Sequence, residues 1–372
     1  MMVLLIIAIG MCGCTDTKEL PGIPGNVDDE GNTTTSVTTL YVDGKQDTGY
    51  TSIRDAIDAA DDGAIIHVSN GTYYENLMIS KQISLIAENK TNTVINGLRA
   101  DSTVISITAD NVSICNFTLS NKKEGSVEQN DSFQFITAIS ITSNNTIICN
   151  NTIEQYCFGI YIQGDSHNNS LSENLFLRNT KSGIVLQADT SHNTISKNTI
   201  QFGHSDGGIN TAFTSENIIC DNIITNNYRG ITLTTLSVNN RIYNNTISNN
   251  SRIGLFLQYA AKYNLIYNNT IANNGLFQNG HGIYEHSSYF PDSEENIIYH
   301  NNFINNYQNA YGINNNSWDN GYPCGGNYWS DYSGVDADGD GLGDTAYEIE
   351  AFFGVIDRYP LIDPYPLPHS II

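Results

Sequence analysis

One short phrase of asparagine and isoleucine recurs along the second half of the chain and restricts how it can fold. The phrase reads NNRIYNNTISNN at residues 239–250, YNLIYNNTIANN at 263–274 and ENIIYHNNFINN at 295–306. A second phrase lies between the copies, as SGIVLQ, RGITLT or IGLFLQ, and its glycines are 22 to 28 residues apart. A fixed period of this length indicates a repeat architecture, in which each repeat forms one structural unit that stacks on the next.

The local pattern within each unit predicts an all-β fold. Each unit contains short runs rich in Ile, Thr, Tyr and Leu, and these runs are bounded by Asn, Ser and Gly. No unit has the i, i+3, i+4, i+7 spacing of apolar residues that an amphipathic helix needs, so helical repeats are excluded. The pattern favours a single-stranded parallel β-helix, with one coil per ~22–25 residues and roughly nine or ten coils about 4.8 Å apart.

One asparagine stands at the same place in every copy of the first phrase. The predicted column is Asn151, Asn174, Asn198, Asn222, Asn245, Asn269 and Asn302. Inward asparagines that stack on one another can pass amide hydrogen bonds from coil to coil. A disordered asparagine-rich tract is excluded, because an isoleucine recurs in register with every asparagine. The repeated phrase is therefore interpreted as scaffold.

The charge balance limits the partners of this chain. Sixteen Lys and Arg stand against 39 Asp and Glu, for a net charge of −23. Nucleic acids and anionic lipid surfaces are bound through basic patches, so both are excluded as partners. The composition favours an exported, solvated protein, which we expect to be a monomer that binds carbohydrate or an envelope protein. Stacked Tyr and Asn side chains on one face would suit sugar rings.

The first 14 residues, MMVLLIIAIGMCGC, predict export. The apolar run Val3–Ile9 is too short to span a bilayer as a permanent helix. The segment resembles a lipoprotein signal, with Cys14 as the lipidated first residue of the mature chain. Residues 15–38 are polar and aperiodic, which predicts a flexible linker. The membrane would be reached only through this N-terminal anchor, at the cell surface.

Residues 39–70 are predicted to form an N-terminal cap around the one convincing helix. Ser52 and Asp55 have the spacing of a capping box, and Ile53, Ala56 and Ile57 line one face of the helix. Such a helix can cover the open end of a β-helix. Residues 71–315 are assigned to the coils, and residues 316–372 to a C-terminal cap with an Asp-rich loop.

Two stretches carry a family resemblance. Residues 50–89, YTSIRDAIDAADDGAIIHVSNGTYYENLMISKQISLIAEN, resemble the N-terminal cap of the pectin-lyase-like right-handed β-helix superfamily. The Asn-Asn-Thr-Ile and Gly-Ile repeats, together with GGNYWSDYSGVDADGDGLGDTAY near the C-terminus, resemble its NosD-type branch, which is common among archaeal and bacterial surface or secreted proteins. The resemblance implies a right-handed coil, and it is poorly specific for activity.

The strongest chemical signal is DADGDGLGD at residues 336–344. The predicted ligands are the carboxylates of Asp336, Asp338, Asp340 and Asp344 and the carbonyl oxygen of Leu342. Oxygens at this spacing can surround a hard cation. An EF-hand would need Glu at the twelfth position, where Tyr347 stands. We therefore expect a calcium-stabilised turn rather than an EF-hand, with an ion-free Asp/Gly turn as the alternative.

Three cysteines fall in one column of the repeat. The column contains Cys115, Cys149, Ser172, Ser196, Cys220, Tyr243, Tyr267 and His300. Cys115 and Cys149 should lie on adjacent coils, where a disulfide or two half-buried thiols are both possible. The sequence slightly favours free thiols.

A catalytic motif is incomplete. Gly280-His281-Gly282 resembles the Gly-His-Gly of polygalacturonases, but Asn210-Thr211-Ala212 stands where that family has Asn-Thr-Asp. Without the acid the hydrolytic mechanism is lost, so no catalytic residue is assigned. We favour a non-catalytic binding or structural role, with a polysaccharide lyase or glycoside hydrolase as the alternative.

The NosD resemblance implies a second alternative, maturation of a copper enzyme. His167 and His192 stand at nearly equivalent places on successive coils, and His281 and His286 share one strand region. A local function is expected where the repeat is broken. The candidate places are the insertion Asn121–Gln134, the insertion Leu276–His281 with Ser287–Glu294, and the Asp-rich loop.

Overall fold

A computed structural model describes residues 37–43, 49–98, 103–121, 136–275, 280–286, 293–313 and 315–366. The predicted lipidation site Cys14, the linker up to residue 36 and most of both insertions lie outside the described residues. No helix in the described ranges is long and apolar enough to cross a membrane. The chain forms an all-β, right-handed parallel β-helix, as predicted.

Three parallel sheets, named A, B and C, form the walls of the coil. Sheet A contains Thr39–Val42, Ala64–Val68, Ile83–Ala87, Ser113–Cys115, Ile147–Cys149, Ser170–Ser172, Thr194–Ser196, Ile218–Cys220, Arg241–Tyr243, Leu265–Tyr267 and Ile297–Tyr299. Sheet B contains Gly71–Tyr74, Thr93–Asn96, Thr118–Ser120, Thr152–Glu154, Leu175–Leu177, Thr199–Gln201, Ile223–Thr225, Thr246–Ser248, Thr270–Ala272, Asn302–Ile304 and Tyr328–Trp329. Sheet C contains Leu77–Ile79, Ile105–Ile107, Thr137–Ile141, Phe158–Ile162, Ser182–Ser191, Gly207–Ser215, Arg229–Thr234, Ile253–Gln258, His281–His286 and Ala310–Tyr311.

The core is a set of apolar columns that run along the coil axis. In sheet A the central residue of each short strand faces inward, so Ile195, Ile219 and Ile242 stack in register and are fully buried. Their neighbours on either side face outward, because side chains alternate along a strand. Each coil therefore buries its apolar face only against the coils before and after it.

The stack is longer than the repeated phrase predicts. Sheets A and B each have eleven strands, so there are about eleven coils rather than nine or ten. The strands Thr39–Val42 and Ala64–Val68 begin sheet A without the asparagine phrase, and Tyr328–Trp329 ends sheet B within the predicted cap. These strands join the sheets through backbone hydrogen bonds, which do not require the repeated side chains. Counting copies of the phrase therefore misses them.

The helix Ile53–Ala59 covers the N-terminal end and is held at both of its own ends. Ser52 Oγ accepts a hydrogen bond from the backbone N–H of Asp55 at 3.1 Å. Two further N–H groups of the first turn donate to the carboxylate of Glu75, and Lys81 Nζ donates to three carbonyls of the last turn. An anion at the start and a cation at the end complement the helix dipole.

At the other end, Tyr347–Glu350 and Val355–Asp357 form an antiparallel hairpin around the 3₁₀ turn Ala351–Phe353. The ring of Trp329 stacks on Phe303 of the last coils at 4.4 Å and on Tyr347 of the hairpin at 4.2 Å. Aromatic rings thus continue the core into the cap.

The predicted asparagine column is a buried ladder of amides from Asn151 to Asn269. From Asn174 onward each Oδ1 accepts both the backbone N–H and the Nδ2 of the asparagine one coil earlier, at 2.9–3.1 Å in the first rungs, whereas Asn151 Oδ1 accepts the backbone N–H of Phe117. The prediction of Asn302 is wrong, since Asn269 donates to Asn301 instead. Asn302 pairs with Thr270 in sheet B, and its side chain binds the backbone of Tyr365.

Two further asparagine ladders were not predicted. The second contains Asn169, Asn193, Asn217, Asn240, Asn264, Asn296 and Asn316. The third contains Asn227, Asn250, Asn274 and Asn306. The signal was present in the sequence, because NNRIYNNTISNN places Asn240, Asn245 and Asn250 five residues apart, one for each ladder.

The cysteine column differs from the prediction in two ways. Cys115 and Cys149 form a disulfide, with their Cα atoms 4.8 Å apart on adjacent strands in register, so the favoured free thiols are wrong. This separation is within the range that a disulfide can bridge. The last member of the column is Tyr299 rather than His300, because Tyr267 pairs with Tyr299. Free cysteines in the described chain are Cys157, Cys220 and Cys324.

Candidate binding cleft

An open cleft of about 430 Å³ lies on the outer face of sheet C. It is lined by Arg229, Arg252, Ile253, Phe256, Gln258, His281, Tyr284 and His286. These side chains come from three strands, Arg229–Thr234, Ile253–Gln258 and His281–His286, and from the residue before the second strand. The register brings them together, since Phe256 pairs with Tyr284 and Ile253 with His281. Among the described residues, the lining contains no Asp or Glu.

The glycine of the second phrase allows these strands to pack closely. A Cβ at Gly254 would lie 2.5 Å from the carbonyl oxygen of Gly282 and 2.8 Å from Asn274 Nδ2 of the third ladder. No side chain fits in that space. The phrase therefore needs glycine at this inward position, while its alternate residues are free to face the cleft.

Two arginines give the cleft its charge. The Arg229 guanidinium lies 4.9 Å from the ring of Phe256 and 5.5 Å from that of Tyr228. Arg252 lies 5.6 Å from the same tyrosine ring, and its Nη1 donates to Tyr228 Oη at 2.6 Å. Burial, and then the charge of Arg252, lower the pKa of Arg229. The aromatic rings thus hold two mutually repelling cations side by side.

Neither arginine forms a salt bridge within the described part of the chain, although the charge of Asp206 acts on Arg229 from a longer distance. No carboxylate oxygen there lies within 4.0 Å of either guanidinium. Arg229 Nε is also buried, without a hydrogen-bond partner among the described residues. In a chain with a net charge of −23, two cations in one cleft form a local positive patch. Arg229 is half-buried and Arg252 is exposed. A partly desolvated guanidinium gains from an anionic partner, so the arrangement favours an anionic ligand.

His281 adds a neutral group to the cleft wall. Its ring stacks on Tyr284 at 4.6 Å, and Tyr284 stacks in turn on Tyr311 at 5.2 Å. Burial, and then the nearby Arg252, lower the pKa of His281 to about 4, so the imidazole is neutral at pH 7. His281 Nδ1 has no hydrogen-bond partner in the described residues. The cleft therefore combines two cations with a neutral imidazole and an aromatic wall.

The tyrosines of sheet A, which the sequence suggests as a platform for sugar rings, stack on one another. Tyr243, Tyr267 and Tyr299 stack on one another with ring centroids 5.1 and 5.5 Å apart. Their ring faces contact each other, which leaves mainly edges and hydroxyl groups for a ligand. The ladder asparagines are buried inside the coil.

The Asp-rich loop gathers three of its predicted ligands. Carboxylate oxygens of Asp336, Asp338 and Asp340 lie within 4.8 Å of one another. Asp344 is outside this cluster, and its Oδ2 accepts the N–H of the residue after Asp336 at 2.8 Å. The side chain of Leu342 is buried. The charge of Asp340 is the main cause that raises the pKa of Asp338, so the two carboxylates repel each other. Calcium binding stays a prediction.

The two predicted histidine pairs differ in their surroundings. His167 and His192 lie on adjacent coils with ring centroids 6.5 Å apart in an edge-to-face arrangement. His281 and His286 stand at opposite ends of one strand, in the wall of the cleft. The first pair, outside the cleft, forms a polar cluster of its own.

Two family models match parts of the chain. The model described as periplasmic copper-binding protein (NosD) matches residues 188–334, and the model described as right handed beta helix region matches residues 89–237. No curated protein matches the sequence.

Solved structures share the fold at low sequence identity. The enzymatically active domain of Bacteriophage CBA120 tailspike protein 2 is 13% identical with a TM-score of 0.52, over 72% of this chain and 43% of that chain. The periplasmic alginate epimerase AlgG is 16% identical with a TM-score of 0.49, over 74% and 73%. The Azotobacter vinelandii mannuronan C-5 epimerase AlgE6 A-module is 14% identical with a TM-score of 0.44, over 71% and 91%. These likenesses concern the fold alone.

Proposed function

We propose that this chain, a NosD-like right-handed β-helix protein, is an exported binding protein that holds an anionic carbohydrate in the cleft on sheet C. The observation that carries the proposal is the pair Arg229 and Arg252, two cations without a carboxylate partner in the described chain. A carboxylate or sulfate group of a sugar would supply the missing charge. Arginine suits this role, since its planar guanidinium binds such groups with two parallel hydrogen bonds.

The other groups of the cleft suit a saccharide rather than a small inorganic anion. The volume of about 430 Å³ is within the range of small-molecule sites. Gln258 and the neutral His281 can exchange hydrogen bonds with sugar hydroxyls. The aromatic wall around Phe256 lowers the local polarity, which strengthens an ion pair with the bound acid.

The test compares acidic and neutral oligosaccharides of equal length by isothermal titration calorimetry, for example oligogalacturonate against cello-oligosaccharide. We expect binding of the acidic ligand only, weakened by added salt. Arg252→Gln should weaken it at least tenfold. Arg178→Gln is the matched control, since Arg178 also lies over a ring, that of Phe202, at 5.7 Å but outside the cleft. Equal binding of neutral sugars, or no effect of Arg252→Gln, would contradict the proposal.

Catalysis is the alternative, and it can be measured in the same samples. The described lining of the cleft offers no carboxylate for hydrolysis by an acid pair. Product chromatography after long incubation would detect cleavage or epimerisation of the acidic oligosaccharide. An unchanged oligosaccharide that still binds supports the non-catalytic role.

Metal handling is a second candidate function. The NosD model that matches residues 188–334 is described as a periplasmic copper-binding protein. The structural observation that favours this function here is the pair His167 and His192, only the second of which lies within the matched range.

The proposed export would place the protein in the envelope or at the cell surface, attached through Cys14. Mass spectrometry of the mature N-terminal peptide tests this. A diacylated Cys14 supports the anchor, and an unprocessed Met1 contradicts it.

A further inference from the structure

A second pocket, of about 340 Å³, lies on the outer face of sheet A at the N-terminal end of the stack. It is lined by Tyr41, His67, Val68, Ser69 and Glu88. Tyr41 and His67 pair in register on the first two strands of the sheet, and both residues are exposed. Ser69 and Glu88 directly follow the second and third strands. Parallel pairing therefore brings polar and aromatic groups from three neighbouring strands together.

Two stacked rings form one wall of this pocket. The imidazole of His67 stacks on the ring of Tyr41, with centroids 5.6 Å apart and 20° between the ring planes. Tyr41 is nevertheless 57% exposed. The face of an aromatic ring carries partial negative charge, so an exposed ring attracts a cation.

The carboxylate of Glu88 adds a full negative charge beside the rings. Its Oε2 accepts the backbone N–H of Asn70 at 3.1 Å. No Lys, Arg or His nitrogen in the described ranges lies within 4.0 Å of the Glu88 carboxylate oxygens. The pocket therefore offers an acceptor that suits a cationic ligand.

A buried hydroxyl next to the pocket shows that the negative field extends beyond Glu88. Tyr73 Oη donates to the carbonyl oxygen of Ser69 at 2.9 Å. Burial, and then the charges of Asp43, Glu75 and Glu88, raise the pKa of Tyr73. Three carboxylates thus act on the same wall, and the pocket has the opposite charge from the cleft on sheet C.

We propose that this pocket binds the protonated amine of an amino sugar. The ammonium group would lie against the rings of Tyr41 and His67 and donate to Glu88, which combines a cation–π contact with a charge-assisted hydrogen bond. The hydroxyl group of Ser69 can exchange hydrogen bonds with sugar hydroxyls. A volume of about 340 Å³ is in the lower range of small-molecule sites. A neutral sugar would leave Glu88 without a cation, and an acidic sugar would be repelled.

Isothermal titration calorimetry on the full chain, at physiological ionic strength, compares chitobiose with free amines and chitobiose with both amines acetylated. We expect binding of the free-amine form only. Glu88→Gln should weaken it by about tenfold or more. Tyr41→Ala should weaken it by about two- to fivefold, whereas Tyr41→Phe keeps the ring and should bind like the unmodified protein. Circular dichroism of each variant separates loss of the ring from loss of the fold.

Two matched controls remove the same groups elsewhere. Glu173→Gln removes one negative charge from an exposed position outside the pocket. Tyr74→Ala removes a ring that is 55% exposed and also lies outside it. Both variants should bind the free-amine disaccharide as the unmodified protein does.

Three outcomes would overturn the inference. The first is equal binding of the acetylated disaccharide, which carries no cation. The second is an equal loss in Glu173→Gln and Glu88→Gln, since this would show attraction by the net charge of the chain rather than a site. The third is unchanged binding in a folded Tyr41→Ala. The proposal for the cleft on sheet C is tested separately, because it uses an acidic ligand and Arg252→Gln.

Discussion

At the scale of the residue, the amide ladders have a direction, and their last members need an acceptor. Every ladder asparagine donates toward the next coil, so the final one has donors left. The first ladder continues from Asn301 to Asn327, whose backbone N–H donates to Asp357 Oδ2 at 2.7 Å. The second ladder ends at Asn316, whose Nδ2 donates to Glu285 at 2.6 Å. In the third ladder Asn306 donates to Asn309, which in turn donates to the carboxylate of Asp331. A carboxyl group suits this place because its oxygens accept these N–H groups.

Asp357 makes the C-terminal end of the stack sensitive to pH. Its carboxylate is buried, and desolvation raises its pKa to about 7 although N–H groups of Asn327, Trp329 and Tyr359 donate to it. In the unfolded chain the pKa is near 4. The folded protein therefore holds a proton between about pH 4 and 7 that the unfolded chain releases. This contribution to the free energy of unfolding is complete below pH 4 and is lost as pH rises through 7.

Denaturant unfolding of the unmodified protein and of Asp357→Asn, from pH 4 to 8, measures this effect. Asparagine cannot ionise, so the unmodified protein should lose stability relative to the variant as pH rises. The full change is on the order of 4 kcal/mol, from about 1.4 kcal/mol per pKa unit. Asp363→Asn, at an exposed position, is the control. Parallel curves for the unmodified protein and Asp357→Asn would show that Asp357 is not the group responsible.

At the scale of the element, the sequence predicts the coil well and its register less well. Alternating apolar residues identified the strands, and the period identified the stack. In the copy ENIIYHNNFINN, His300 stands where other copies have the first asparagine of the central pair. Aligning the Asn-Asn pairs therefore shifts the predicted register by one residue. The register is determined by Ile298, which pairs with Ile266 inside the coil. Matching apolar residues instead of Asn-Asn pairs would have placed Asn301 correctly.

The cleft could not be predicted from a motif. Its two arginines are far apart in sequence, and each lies just before a glycine of the second phrase, as Arg229-Gly230 and Arg252-Ile253-Gly254. Their proximity depends on sheet register, and their lack of carboxylate partners depends on the neighbouring coils. A possible signal was the recurrence of a cation beside the phrase in a strongly acidic chain.

Calcium should stabilise the Asp-rich loop, because a cation would relieve the repulsion between Asp338 and Asp340. We expect millimolar calcium to raise Tm by about 2–4 °C over a chelator control. Asp340→Asn should abolish this rise without lowering Tm in chelator, since it removes a repulsive charge and keeps the oxygen that accepts from Leu342. Asp363→Asn should respond like the unmodified protein. An equal calcium response in Asp340→Asn would contradict the loop as the site.

At the scale of the whole molecule, stability is shared between neighbouring coils. Each coil has its hydrogen bonds and its core contacts mainly with the coil before and the coil after. The three amide ladders and the apolar columns run through the same coils, so a defect in one coil weakens both of its interfaces. The caps matter because they cover the two ends of these columns. The helix Ile53–Ala59 buries its apolar face at one end, and at the other end Asp357 accepts hydrogen bonds from Asn327 and Trp329.

A single change in the middle of the stack tests this view. Asn198 Oδ1 accepts from the backbone N–H and Nδ2 of Asn174, and its Nδ2 donates to the carbonyl of Leu171 and to Asn222. Asn198→Ala would leave the N–H of Asn174 and the carbonyl of Leu171 without these partners. At about 1–3 kcal/mol for each buried group, the free energy of unfolding should fall by about 2–6 kcal/mol.

The matched control is Thr199→Ala, the next residue along the chain, whose side chain faces outward and is partly exposed. It should cost less than about 1 kcal/mol, as surface substitutions usually do. Hydrogen exchange should show where the damage lies. Amides of the coils on both sides of Asn198 should lose protection in Asn198→Ala, while those beside the N-terminal helix should change least, because coupling passes only from neighbour to neighbour. Uniform loss of protection along the whole stack would show instead that the coils unfold as one cooperative unit.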